Sequence, residues 1–200
     1  DRALEFGVSG KLYQNNLLMY DRTTETLWQQ QTGEAVVGEL VGQRLRIFPS
    51  ENIRWGDWKR LYPNGEVLSR ETGFRRDYSV DPYASRGYND DPSPGLFPGT
   101  PLDPRLHAKA MVLGIVVGST AKAYPWEVVR RERVINDVVG ELPIVVFEDP
   151  TSKAITMRTR PSPEPIADPN AAATIDERPE FTTSFWFSWA AFRPNAELYE

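Results

Sequence analysis

The chain has 200 residues, enough for one large domain or two small ones. A net charge of −5 leaves no basic face for nucleic acid, and the absence of cysteine excludes disulfides, thiolate nucleophiles and Cys-type zinc sites within these residues. Hydrophobic residues at 40% and charged residues at 26% suit a soluble globular chain, and no apolar run reaches membrane-spanning length.

From Phe6 to Gly42 the sequence is a cadence of short apolar pieces and turn residues. Phe6, Val8 and Leu12 lead to the polar break Gln14-Asn15-Asn16, and Leu17 to Tyr20 follows. Asp21 to Thr24 reads as a turn before Leu27-Trp28, and Thr32-Gly33 and Val41-Gly42 punctuate the rest. This pattern predicts an antiparallel meander. Trp55, Trp58, Leu61 and Tyr62 then recur at helical spacing, so Ile53 to Tyr62 reads as a short amphipathic helix laying its tryptophans on the sheet. Pro63-Asn64-Gly65 stops it, and Val67-Leu68 reads as a further short strand.

The stretch 74–104 is rich in Pro, Tyr and Asp and predicts a long ordered loop. MVLGIVVG, from Met111, reads as a buried strand. Pro125 fits the first turn of a helix running to Arg133, and strands follow at Val134-Ile135, Ile144 to Phe147 and Ala154 to Thr159. Pro161 to Pro179 reads as a linker or extended loop, and the aromatic element Phe181 to Tyr199 ends the chain, with a helix over Ser184 to Phe192.

The end echoes the beginning. Trp55 aligns with Trp186, Trp58 with Trp189, Leu61 with Phe192, Pro63 with Pro194, Asn64 with Asn195 and Glu66 with Glu197. This register predicts two related units. The expected fold is therefore α+β: mainly antiparallel β, two related lobes from an internal repeat, and short Trp-rich helices. The expected division is 1–73 for the first unit, 74–104 for the loop, and 105–200 for the second unit with a Pro-rich insert at 161–180. The first unit lacks a counterpart of Val112 to Val146, so such a segment is expected to precede residue 1 or to come from a partner.

The segments FGVSGKLYQNNLLMYDRTTETLWQQ, GEAVVGELVGQRL, VLSRETGFRRDY, DPRLHAKAMVLGI, AKAYPWEVV, VINDVVG and FWFSWAAFRPNAELY together resemble one family, the domain of unknown function numbered 3179. The resemblance implies an extracytoplasmic setting (periplasmic, cell-surface or secreted, free or lipid-anchored) and carries no activity. Members usually show a Cys-Pro-Leu-Cys-like motif shortly before the position matching Arg2, which this chain does not contain, so no redox or metal role passes to its residues.

Candidate chemistry is sparse. His107 is the sole histidine, and histidine can serve as a general base near neutral pH if a carboxylate such as Asp103 orients it. Asp21 and Arg22, beside Glu25, Thr26 and Trp28, could line a cleft, the pair pre-organising a carboxylate for base work or binding an acid through the arginine; the plainer reading is a hairpin in which Asp21 bonds its own turn backbone and Arg22 covers a Trp. Asp77, Asp81, Asp90 and Asp91 offer hard oxygen ligands that would suit calcium, without the EF-hand spacing. The repeated tryptophans Trp55, Trp58, Trp186 and Trp189 read as core, which leaves Trp28, Trp126, Tyr78 and Tyr83 as candidate ligand-stacking residues. Ser9, in Gly7-Val8-Ser9-Gly10, does not meet the Gly-x-Ser-x-Gly elbow, and its glycines read as allowing a bulge or a tight strand crossing.

No cofactor is evident in the residues. The leading expectation is a binding or structural module without a catalytic centre in this chain. The rivals are a hydrolase or a metal- or redox-dependent enzyme with an inter-lobe site at His107, Asp21 and Arg22, and a subunit of a larger assembly that binds a protein partner.

Overall fold

In the computed structural model, which describes residues 3–83 and 102–200, the polar break at Gln14-Asn15 is a two-residue hairpin turn. Both residues have positive φ, 52° and 58°, the primed-turn geometry that matches the twist of the flanking strands. The turn joins β1 (Phe6–Tyr13) to β2 (Asn16–Asp21), with Tyr13 opposite Asn16. The β1–β2 register shifts between Val8 and Lys11, and Gly10 supplies the positive φ of 72° at that bulge. β3 (Leu27–Gln29) and β4 (Ala35–Val37) complete a four-stranded antiparallel sheet in chain order. This is the expected meander.

After β4 the chain runs without regular structure to α1 (Trp55–Leu61). The expected strand at Val67-Leu68 does not form, and Leu68 is 91% exposed. Apolar character alone did not make a strand there.

The second sheet has the order β10-β5-β6-β11, from β5 (Met111–Val117), β6 (Thr120–Pro125), β10 (Phe181–Phe185) and β11 (Glu197–Leu198). Its pairs are antiparallel except β6–β11, which is parallel. α2 (Trp126–Glu132) follows β6 directly. The third sheet is β7 (Val134–Val139), β8 (Leu142–Glu148) and β9 (Ile155–Thr159), all antiparallel.

β5 is apolar on both sides because both of its faces are covered. Leu113 and Ile115 join Tyr124, Ile135, Ile144, Val146, Ile155 and Met157 in the main core, which spans the second and third sheets. Val112 and Ala123 join a second cluster with Trp186, Trp189 and Ala190 of α4 (Trp186–Phe192). Each large apolar side chain buried in this way contributes about 1.5–3 kcal/mol.

The 161–179 stretch is more than a linker. It contains α3 (Pro169–Ala173), capped by Asp168, and Ala172 packs on Val145 and Phe147 of β8. Asn136 also exchanges two hydrogen bonds with the backbone of Ile166, each 2.8 Å. Proline at the first helical position is compatible with a helix, so the Pro-rich composition misled.

The two Trp-bearing helices are both seven residues long, yet they sit differently. α4 buries Trp186 and Trp189, whereas α1 buries none of its residues. Trp55 is 53% exposed and stacks on Trp58 at 5.1 Å. The expectation that all four tryptophans are core therefore holds for α4 alone, because the Val112–Ala123 face of the second sheet is already taken by it.

The first sheet and the segment after it meet the rest of the chain through polar contacts and an aromatic pair. The Ser188 hydroxyl on α4 donates to Asn16 Oδ1 at 2.5 Å and lies 3.2 Å from Gln31 Oε1. Tyr13 meets the edge of Phe192 at 5.6 Å. Glu51 reaches the third sheet, accepting from Thr156 Oγ1 at 2.7 Å and pairing with Arg178 at 3.1 Å and Arg158 at 3.6 Å.

Candidate functional site

The residues that the sequence offers for catalysis lie in different settings. Asp21 is fully buried at the end of β2. Its carboxylate accepts from the Trp28 indole N–H at 3.0 Å, the Thr23 and Thr24 backbone N–H groups at 3.1 and 2.7 Å, and the Thr24 hydroxyl at 2.7 Å. Burial pushes its pKa up, but the hydrogen bonds from Trp28, Thr24 and Thr23 outweigh it and hold it at about 2. The group is an ionised brace for the β2–β3 turn. Arg22 points to the surface, where it pairs with Glu5 at 2.9 Å and donates to the Tyr20 hydroxyl at 3.1 Å.

His107 lies just before β5, and its Nδ1 accepts from the Lys109 backbone N–H at 3.3 Å. In the neutral ring this places the proton on Nε2. No hydrogen bond or ion pair joins it to Asp21 or Arg22 among the described residues. Asp103, the other sequence neighbour, is held by Arg105 through Nε at 3.0 Å and Nη2 at 2.7 Å. The Arg105 hydrogen bond keeps the Asp103 pKa below the usual carboxylate value, against the opposing pull of burial. Arg105 also caps the Ala196 carbonyl at 2.7 Å and lies over the Trp186 ring, so this pair fastens the loop to α4.

What His107 does share is a cavity with Trp126. The space, about 460 Å³, is framed by Leu106, Met111, Val128 and the polar side chains Lys109, Glu127 and Arg130. Strand β5 supplies its floor through Met111, and the Pro125–Trp126 junction of β6 with α2 supplies its wall. The Trp126 indole N–H is buried with no partner among the described residues, while Arg130 covers the ring at 5.4 Å. A pocket of this size with an apolar lining and a few polar groups at its edge suits a small organic molecule.

The other sequence candidates are spread over the molecule. Trp28 is core, with Phe6 against it edge-on at 6.0 Å. Tyr78 and Tyr83 are exposed, and the Tyr78 hydroxyl bonds Thr72 at 2.6 Å. Asp77 accepts from the Ser79 hydroxyl and backbone, which lower its pKa, and Asp81 accepts from the Tyr83 backbone at 2.8 Å. Asp90 and Asp91 lie outside the described residues. Among the described residues, no group of three or more His, Asp or Glu could hold a metal ion.

Two charged constellations escaped the sequence reading. Lys122 on β6 lies 2.8 Å from Asp137 on β7 and 3.4 Å from Glu197, and Tyr124 donates to the same Asp137 carboxylate at 2.8 Å. Burial raises the Asp137 pKa, but the bonds from Lys122 and Tyr124 prevail and lower it. This network ties the second sheet to the third. The other constellation is Arg193, immediately after α4, whose guanidinium lies 4.0 Å over the Trp189 ring. The four-residue spacing of Trp189 and Arg193 at a helix end was the available signal.

Fold and site define a mainly antiparallel α+β protein with short helices and a small ligand-sized cavity at the β6–α2 junction. The family model described as "Protein of unknown function (DUF3179)" matches residues 1–196, and the chain belongs to that family. No curated protein and no solved structure matches the chain.

Proposed function

We propose that the chain is an extracytoplasmic binding or structural module that holds a small organic ligand in the His107–Trp126 cavity. The observation that carries this reading is the buried Trp126 indole N–H, without a partner among the described residues, beside a cavity of about 460 Å³. An unmet buried donor is costly unless something accepts from it. The extracytoplasmic setting rests on membership of the family and is tested by fractionating source cells. Titration with 8-anilinonaphthalene-1-sulfonate, an apolar anion, tests the cavity. The Trp126 indole N–H resonance is expected to shift saturably while that of Trp186 stays still. No saturable shift would remove the cavity from the reading. The rival enzyme reading, with His107, Asp21 and Arg22 in one site, has less support, since the Asp21 carboxylate is committed to the β2–β3 turn.

A second reading, the assembly subunit, is favoured by α1. Its alignment with α4 supports an internal repeat in which α4 has a sheet to cover, whereas α1 leaves Trp55 exposed and Trp58 half-buried against Gly65 of its own chain. In this reading α1 docks on a partner strand pair resembling β5–β6 through the Trp55–Trp58 stack. Sedimentation of the protein from its source is expected to show a complex that the double substitution Trp55→Ser, Trp58→Ser dissolves. A species of unchanged size in the variant would count against it.

A further inference from the structure

Where the first sheet's trailing segment crosses the second sheet, Arg44, Glu180, Thr182, Trp189 and Arg193 enclose a narrow cavity of about 20 Å³ floored by Gly114. Room of that size takes one or two oxygen atoms. An adjoining cleft of about 400 Å³ shares Arg44 and Arg193 and adds Thr32 and Glu34.

Three of the lining residues carry buried polar atoms with no partner among the described residues: Thr182 Oγ1, Trp189 Nε1 and Arg193 Nη1. Arg193 is the most telling. Its guanidinium is stacked on Trp189 at 4.0 Å, and none of its side-chain N–H groups donates to a described residue. A partly buried guanidinium held flat, with its fork unspent, is costly for the fold and pre-organised for a planar anion. Arg44 is only lightly engaged: its Nη2 is 3.6 Å from Glu180, and its Nε donates to the Thr32 carbonyl at 3.2 Å. Burial, followed by repulsion from Arg44, lowers the Arg193 pKa, and Glu34 works the other way.

We propose that this junction is a carboxylate-binding site, with Arg193 receiving the carboxylate, Thr182 and Arg44 flanking it, and the ligand's organic body lying in the adjoining cleft. Arg44 and Arg193 are offset by Glu34 and Glu180, so the four formal charges cancel. That balance suits a monoanionic carboxylate held by directional bonds and disfavours a phosphate dianion. The narrow inner cavity has room for carboxylate oxygens. The site lies on the α4 side of the second sheet and is independent of the Trp126 cavity.

Calorimetric titration of the full chain with acetate, butyrate and inorganic phosphate tests this proposal, with the Trp189 indole N–H followed by NMR. Acetate and butyrate, both monoanions, are expected to bind saturably and shift that resonance, and phosphate is not. Arg193→Lys keeps the charge but loses the fork, and should weaken binding about tenfold or more, the value of one charge-assisted hydrogen bond. Thr182→Val should weaken it by a smaller factor and keeps the test alive if the Arg193 variant does not fold. Trp126→Phe should leave carboxylate binding unchanged, which separates this site from the cavity proposed above. No saturable binding of either carboxylate, equal binding of phosphate, or affinities unaltered in both Arg193→Lys and Thr182→Val would overturn the assignment.

Discussion

Trp189 lies so close over Gly114 that a Cβ at position 114 would come within 2.3 Å of the indole's six-membered ring. The glycine in the middle of an otherwise large-apolar strand is what lets α4 lie down on the second sheet. It also sets the height of the Trp189 ring, on which Arg193 is stacked. Gly114→Ala is expected to destabilise the protein by about 1–3 kcal/mol through overpacking. Urea midpoints would measure this, together with a displaced Trp189 indole resonance.

The four helix tryptophans should separate into two classes on substitution. Trp186→Ala removes a fully buried ring and is expected to cost about 3–5 kcal/mol. Trp55→Ala, on a helix with no buried residue, should stay within about 0.5 kcal/mol. Equal effects in thermal melts would mean that α1 is docked in solution.

Asp21 gives stability a defined acid dependence. Its folded pKa, about 2, lies below the ordinary 3.8, so its contribution is fully present above the ordinary value. That contribution is lost as pH falls from there through about 2. Denaturant midpoints followed downward from pH 6 should show this loss in the native protein. Asp21→Asn, which cannot ionise, should be less stable at pH 6 and flatter across the acid range.

Glu51 supplies the counter-charge for a buried arginine whose own hydrogen bonds go to the Ile175 and Met157 carbonyls and the Thr156 hydroxyl. Arg158 has a side chain only 4% exposed, and Arg178 lies on the same carboxylate. Burial and the Arg178 charge lower the Arg158 pKa, and Glu51 opposes them. Glu51→Ala is expected to cost about 2–3 kcal/mol by stranding hydrogen-bonded charges. The additional substitution Arg178→Gln should recover part of it, since it removes the repulsion.

Much of the fold was legible along the chain. The Gln14-Asn15 break, the Leu27-Trp28 strand, the two-faced apolar strand at Met111 and the three short helices at 55–61, 126–132 and 186–192 all follow from local period and turn chemistry. Val67-Leu68 misled because two apolar residues carry no information about a neighbouring strand. The 161–179 stretch misled because proline composition hid a capped helix turn at Asp168.

The candidate site was less legible, for a physical reason. His107 and Trp126 were each visible as residue types, but their shared cavity depends on β5 and β6 being paired and on α2 folding back beside them. Arg193 and Arg44 are far apart in the chain, and no local pattern brings them together.

By itself the sequence determined most strands and turns, three of the four helices of the described residues and the absence of thiols within these 200 residues, because these depend on neighbours within a few residues. Tertiary structure alone decided which tryptophans are buried, that Asp21 is spent on a turn brace, and that the buried Arg193 Nη1 has no partner among the described residues. Burial and hydrogen-bond satisfaction are properties of three-dimensional neighbours, and no local pattern records them.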